Sequence, residues 1–194
     1  RITLLRRPPV DAAHALDVYF DLLFAQDGGA PDAVHAALRS LGADAPAGDR
    51  SFAARIGRAA RLSARDWFAR LEQRRAIAAQ WEQFFGEHDI VLCPVMSTTA
   101  FAHDLSGVDH TAQLQRTVTI DGAPHPYLTN LAWPGLVTVA DLPSTVIPTG
   151  QLVDGVPVGV QAVGAWLEDR TTLQFAALVQ QRLGGYLVPA PLRA

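Results

Sequence analysis

Lysine is absent from this chain: all 16 basic residues are arginine, set against 19 acidic ones. A phosphate-cradling loop of the Walker type needs its lysine, so that reading is closed. The formal net charge of −3 gives no electrostatic basis for binding nucleic acid or acidic lipid. Cysteine is nearly absent too. Cys93 stands alone, which excludes an internal disulfide framework and fits a reducing, cytoplasmic compartment. No uninterrupted apolar run approaches the roughly 18 residues needed to cross a bilayer. No secretory leader is visible, and the opening at Arg1 reads as a processed or excised piece.

What is present is a chain of 194 residues, 49% hydrophobic and 18% charged. That length and balance build a packed core of one large domain, or part of a larger one. Residues 1–87 read as mainly helical, and residues 88–194 as strands, a hairpin and a C-terminal helix. Helices are expected over Asp11–Gln26, Asp32–Leu41 and Phe52–Arg61, the first two stopped by Gly28-Gly29 and Gly42. The best-specified helix starts at Ser63, with Asp66 in its first turn, and carries Trp67, Leu71, Ile77, Ala78, Trp81, Phe84 and Phe85 mainly on one face up to Gly86. Arginines crowd between Arg50 and Arg75. They read as a solvated helix face balanced by Asp66, Glu72, Glu82 and Glu87, not as a nucleic-acid surface.

The stretch "DIVLCPV", Asp89–Val95, is a short apolar run ended by proline, hence a buried strand. It leads into a polar loop containing His103-Asp104 and Asp109-His110. Their spacing matches no helical ligand pair, so no metal is expected. A triad of Ser97, His103 and Asp104 can be drawn, but residues this close in sequence rarely converge and no nucleophile elbow surrounds the serine. Cys93 has no neighbour that would stabilise a thiolate and reads as core.

Farther on, "STVIP" and "VPVGVQAVG" flank a turn at Asp154-Gly155, which predicts a β-hairpin over residues 144–163, buried on both faces. Its glycines fit neither a Walker loop nor a dinucleotide fingerprint. Gly159 lets another group lie close against the sheet, and Gln161, within an apolar strand, needs partners for its amide. A helix follows, with Glu168 and Asp169 at its start, Thr172, Phe175, Ala176, Val179 and Leu183 as its stripe, and Gly184-Gly185 as its stop. Hairpin followed by helix makes an α/β layer.

The segment "LPSTVIPTGQLVDGVPVGVQAVGAWLEDRTTLQFAALVQ" resembles the C-terminal region of amidase-signature enzymes. Leu142, Pro143, Pro148, Gly150, Gly155, Pro157, Gly159, Gln161, Gly164 and Glu168 match the family's pattern, and "RDWFARLEQRRAIAAQWEQFFGEHDIVLCPV" is similar to its long helix and following strand. The resemblance implies an α/β fold: the C-terminal part of the amidase-signature α/β/α layers, with a mixed β-sheet and flanking helices. It implies hydrolysis of a small-molecule carboxamide without a cofactor. The serine nucleophile, a bridging serine in a cis peptide bond and a lysine base would stand in an N-terminal half of the same enzyme. With no lysine and no Gly/Ser-rich segment, these 194 residues are expected to carry no catalytic residue and to be inert alone.

By the same resemblance, Met96, Ser97 and Thr98 on one segment and Tyr127, Asn130 and Trp133 on another approach the bound substrate. Asn130 is suited to orient an amide, and Tyr127 and Trp133 to form flat walls; core aromatics beside a loop are the plainer reading. The expected partners are the substrate and the N-terminal half, with a homo-oligomer also open. A noncatalytic scaffold of this fold remains an alternative, as does the A component of an aminoacyl-tRNA amidotransferase. The second is disfavoured because "NLAWPGLVTVADLP" departs from that branch's "NLAGLP".

Overall fold

The computed structural model describes residues 8–26, 31–106, 112–184 and 186. Its N-terminal part is a cluster of four helices: α1 (Ala12–Ala25), α2 (Asp32–Ser40), α3 (Phe52–Ala59) and α4 (Ala64–Phe85). The sequence explains where they start. The Asp11 carboxylate caps α1 by accepting the Ala13 and His14 amides at 3.0 and 3.1 Å. Ser63 and Asp66 form the reciprocal capping box of α4.

Helix α1 is the centre of this half. Ala15 and Val18 are fully buried, and together with Leu22 they join Ile77 and Trp81 of α4 in one apolar cluster. The cluster is completed by Leu136 of α6 (Ala132–Thr138) and by Val139 and Ala140. Contact between α1 and α6 is close because of one glycine. A Cβ on Gly135 would lie 2.6 Å from the Tyr19 ring, so any side chain there would push α6 away.

The arginine-rich stretch is not a uniformly solvated face. Among these arginines Arg75 pairs with Glu72 on its own helix, but Arg55 and Arg70 reach across to α1. Asp17 receives Arg55 at 2.7 Å and Arg50 at 3.0 Å, and the nearly buried Asp21 receives Arg70 at 2.7 Å. Arg55 is itself buried and its guanidinium lies 5.1 Å from the centre of the Phe20 ring. The expected balancing by local acids therefore holds for only part of the stretch. Carboxylates at positions 17 and 21, one turn apart on α1, give the helix a charged seam that the arginines of α3 and α4 close.

The second part contains two sheets. Strands β1 (Val91–Pro94), β4 (Ser144–Val153) and β5 (Val156–Val163) form a three-stranded sheet in the order β1-β5-β4. Every pairing in it is antiparallel, where the family resemblance implied a mixed sheet. The β4–β5 hairpin turns at Asp154-Gly155, with φ of 51° and 79°, the left-handed pair that lets two strands keep their natural twist. Strands β2 (Thr117–Ile120) and β3 (Ala123–Pro126) make a separate hairpin around Asp121-Gly122, a strand pair not expected from the sequence. Helix α7 (Asp169–Leu183) covers one face of the larger sheet, and Thr145 on β4 donates to Thr172 on α7 at 2.8 Å. A short helix, α5 (Ala112–Gln115), precedes β2.

The hairpin is not buried on both faces. Burial is confined to Ile147, Gln161, Ala162 and Val163, while Val146, Leu152 and Val153 are exposed. Likewise Val91–Pro94 alternates between half-buried and exposed positions, with Leu92 more than half exposed. The reason is topological: among the described residues β4 and β1 are edge strands, and one helix covers one face. Leu173, Leu178 and Leu183 of α7, with Trp166 and Leu167 before it, add further exposed apolar surface.

This packing is open to two tests. Arg70→Met leaves the Asp21 carboxylate buried without its cation and should lower stability at pH 7 by about 3–5 kcal/mol. Burial already pushes the Asp21 carboxyl above the usual carboxylate range, against the pull of Arg70 and Arg58. A carboxyl with a raised folded pKa binds its proton better when folded, so its contribution worsens as pH rises through that range. Chemical denaturation should therefore show Arg70→Met regaining part of its loss on acidification, toward and below the raised folded pKa. Second, the exposed strand edges and leucines predict self-association of the 194-residue chain, read as a concentration-dependent mass in light scattering. A monomer at all concentrations would contradict it.

Candidate functional site

Two segments distant in sequence are brought together beside the sheet. One is the loop leaving β1, residues 95–99. The other is the 3₁₀ turn Tyr127–Leu131, which joins β3 to α6. The Ser97 hydroxyl links them by donating to the Thr129 carbonyl at 3.5 Å. Beside this junction Thr98 and Tyr127 line a cleft of about 230 Å³, with Phe101, Asp104, Arg116 and Thr119 among its other walls. Phe101 meets Tyr127 edge to face, 5.9 Å between ring centres.

Asn130 is the unusual member. It is 3% exposed, and among the described residues neither its amide nitrogen nor its amide oxygen has a hydrogen-bond partner. A buried polar group left this way costs about 1–3 kcal/mol. A donor and an acceptor side by side, both unspent, are complementary to another carboxamide.

Trp133 is placed differently from the other expected site residues. It lies in the first turn of α6, partly buried against the helical core; of the expected site residues Thr98 and Tyr127 line the cleft, whereas Met96, Ser97, Asn130 and Trp133 are not part of its wall. Met96 is exposed on the loop. Thus Ser97, Thr98, Tyr127 and Asn130 are gathered on two touching segments, while Trp133 packs against the helical core. Phe101 and Arg116 are cleft residues that no sequence motif singles out. Phe101 stands only three positions beyond Thr98 in the same loop, and Arg116 immediately precedes β2, so the hairpin carries it there.

No nucleophile and base are assembled from these segments. The Ser97 hydroxyl is directed at Thr129, and Asp104 accepts from the amide and hydroxyl of Ser106, which hold its carboxyl below the ordinary range, with Arg116 3.6 Å away. Neither bonds to His103. Cys93 takes a hydrogen bond from Gln161, and burial raises its thiol pKa, the opposite of an activated thiolate. Among the described residues no group of acidic, histidine and cysteine side chains could hold a metal ion. Asp109-His110 lies outside the described residues.

The family model described as Amidase matches residues 9–173. Fatty-acid amide hydrolase 2-A of Danio rerio is 26% identical over 121 residues, 61% of this chain but 19% of that protein. The A component of the glutamyl-tRNA(Gln) amidotransferase of Streptococcus suis is 32% identical over 113 residues, 57% of this chain and 20% of that one. The chain thus spans about a fifth of the length of these relatives. Among solved structures, a vestigial protein complex bearing on the origins of an s-triazine catabolic enzyme superposes with a TM-score of 0.64 at 21% identity, over 93% of this chain and 36% of its own. By the match over residues 9–173 the chain belongs to the amidase family.

Proposed function

We propose that this chain is one wall of the substrate cleft of an amidase that hydrolyses a small-molecule carboxamide to a carboxylate plus ammonia or an amine. The chemistry is acyl transfer. A serine oxygen attacks the amide carbonyl, the amine leaves as it takes a proton, and water then releases the acid from the acyl-enzyme. The nucleophilic serine, the bridging serine and the lysine base stand in the N-terminal half of the same enzyme, and no cofactor takes part.

In this reading Met96, Ser97, Thr98, Tyr127 and Asn130 approach the substrate. Trp133 supports the turn that carries Asn130. The buried Asn130 amide, without a partner among the described residues, carries the reading: its donor and acceptor match the carbonyl and N–H of a substrate amide. The reducing compartment implied by a single cysteine makes the protein cytoplasmic. A second reading, the A component of a glutamyl-tRNA amidotransferase, has the 32% identity over 113 residues in its favour. It differs in its acceptor: ammonia released from a free amide passes to an aminoacyl-tRNA instead of to solvent. Glutamine hydrolysis that depends on charged tRNA would select it. A noncatalytic scaffold would bind amides without turning them over.

The test uses the full-length protein with a panel of primary and N-substituted amides. Asn130→Leu should lower kcat/KM by about 100-fold while leaving stability unchanged or improved, because it removes a polar group that the fold does not satisfy. Wild-type turnover in that variant would remove Asn130 from the site. Trp133→Ala should destabilise by about 3 kcal/mol and leave the relative rates among amides unchanged, whereas Tyr127→Ala should change those rates. The 194 residues alone should turn over nothing, and saturable hydrolysis by them would place the nucleophile here after all.

A further inference from the structure

Gln161 does more than satisfy itself inside a strand. It sits on β5 directly opposite Cys93 of β1, 4% exposed. Its amide nitrogen has two protons and spends both on β1: one toward the Cys93 sulfur at 3.2 Å and one toward the Pro94 carbonyl at 3.2 Å. Pro94 is the last residue of β1 and has no N–H of its own. The Gln161 side chain ties down its carbonyl from the opposite strand.

What leaves that anchored point is the candidate site. Pro94 leads into the 95–99 loop, whose Ser97 hydroxyl holds the Thr129 carbonyl, and Thr129 is bonded to Asn130. The succession Gln161, Pro94, Ser97, Thr129, Asn130 alternates side-chain clamps with short covalent steps. We infer that Gln161 is a positioning residue for the amide-hydrolysing site, acting through the end of β1 on the direction of the 95–99 loop and on the turn that carries Asn130. This rests on the proposed function above.

Two near-isosteric variants of the full-length protein test it. Gln161→Met keeps length and volume but has no donor. Gln161→Glu keeps the planar shape and places an acceptor against the Pro94 carbonyl. Two readouts are followed at a temperature where circular dichroism shows the variant folded: kcat and KM on an amide that the wild type hydrolyses, and the rate at which Cys93 is alkylated by iodoacetamide, located by peptide mass.

Loss of the clamp should expose the sulfur and speed alkylation in both variants. It should also lower kcat by about 100-fold with a smaller change in KM, as expected when reacting groups are misaligned while the substrate still binds. Unchanged alkylation overturns the clamp. Faster alkylation with wild-type kcat and KM overturns the positioning role and leaves Gln161 as a strand fastener only. A wild-type protein that hydrolyses no amide fails the functional reading and the positioning role with it, and the alkylation rates then decide the clamp alone. If one variant does not fold, the other carries the comparison.

Discussion

The contact on which most of this structure depends is the close approach of α1 to α6, where the absence of a side chain at Gly135 admits the Tyr19 ring. It sets how deeply α6 sinks against the helical cluster. Because α6 runs directly from the Tyr127–Leu131 turn, the same contact sets where Asn130 stands. Helix α4 secures the far end of α6: Arg74 donates to the Val139 carbonyl at 2.9 Å and pairs with Asp141, in the turn that leads to Leu142-Pro143 and β4. An aromatic ring packed on a glycine thereby governs a polar turn several residues away, since a close-packed interior transmits a displacement instead of absorbing it.

Charge and burial divide the work between the two halves. The helical half fastens its elements with arginine–carboxylate pairs, Arg55–Asp17 and Arg70–Asp21, in which a planar guanidinium meets a carboxylate at little distance from the core. The sheet half has no such pairs among its described strands and relies on hairpin geometry, the Thr145–Thr172 contact and the Gln161 clamp. Two neutral polar side chains are left buried without partners among the described residues, the Trp81 indole N–H and the Asn130 amide. They differ in setting: Trp81 lies inside the apolar cluster, whereas Asn130 lies in the turn that Ser97 ties to the 95–99 loop.

Helix positions are legible because local signals and the buried face agree. Ser63 with Asp66, Asp11 before α1 and Gly184 after α7 each end or begin a helix by a rule that needs no tertiary information. Asp-Gly signals at 154–155 and at 121–122 both make hairpin turns. Only the first stands out in the sequence. The strands beside the second, "TVTI" and "APHP", are four residues long, and two prolines and a histidine dilute the second below any strand pattern. Composition overstates the burial of the β4–β5 hairpin, since apolar residues alone cannot say whether a strand has neighbours on both sides.

By itself the sequence determined helices α1 to α4 and α7, the 144–163 hairpin and the family, but not α5 or α6, since caps, turn residues and a long ordered run of matched prolines and glycines are local or colinear properties. It also determined that no lysine is available. Only the tertiary structure decided that Arg55 and Arg70 pair with α1, that Trp133 packs against the helical core, and that Asn130 is buried with its amide unspent among the described residues. Each of these depends on which element lies across from a side chain, and the separation along the chain, from Asp21 to Arg70 or from Ser97 to Thr129, says nothing about the distance in space.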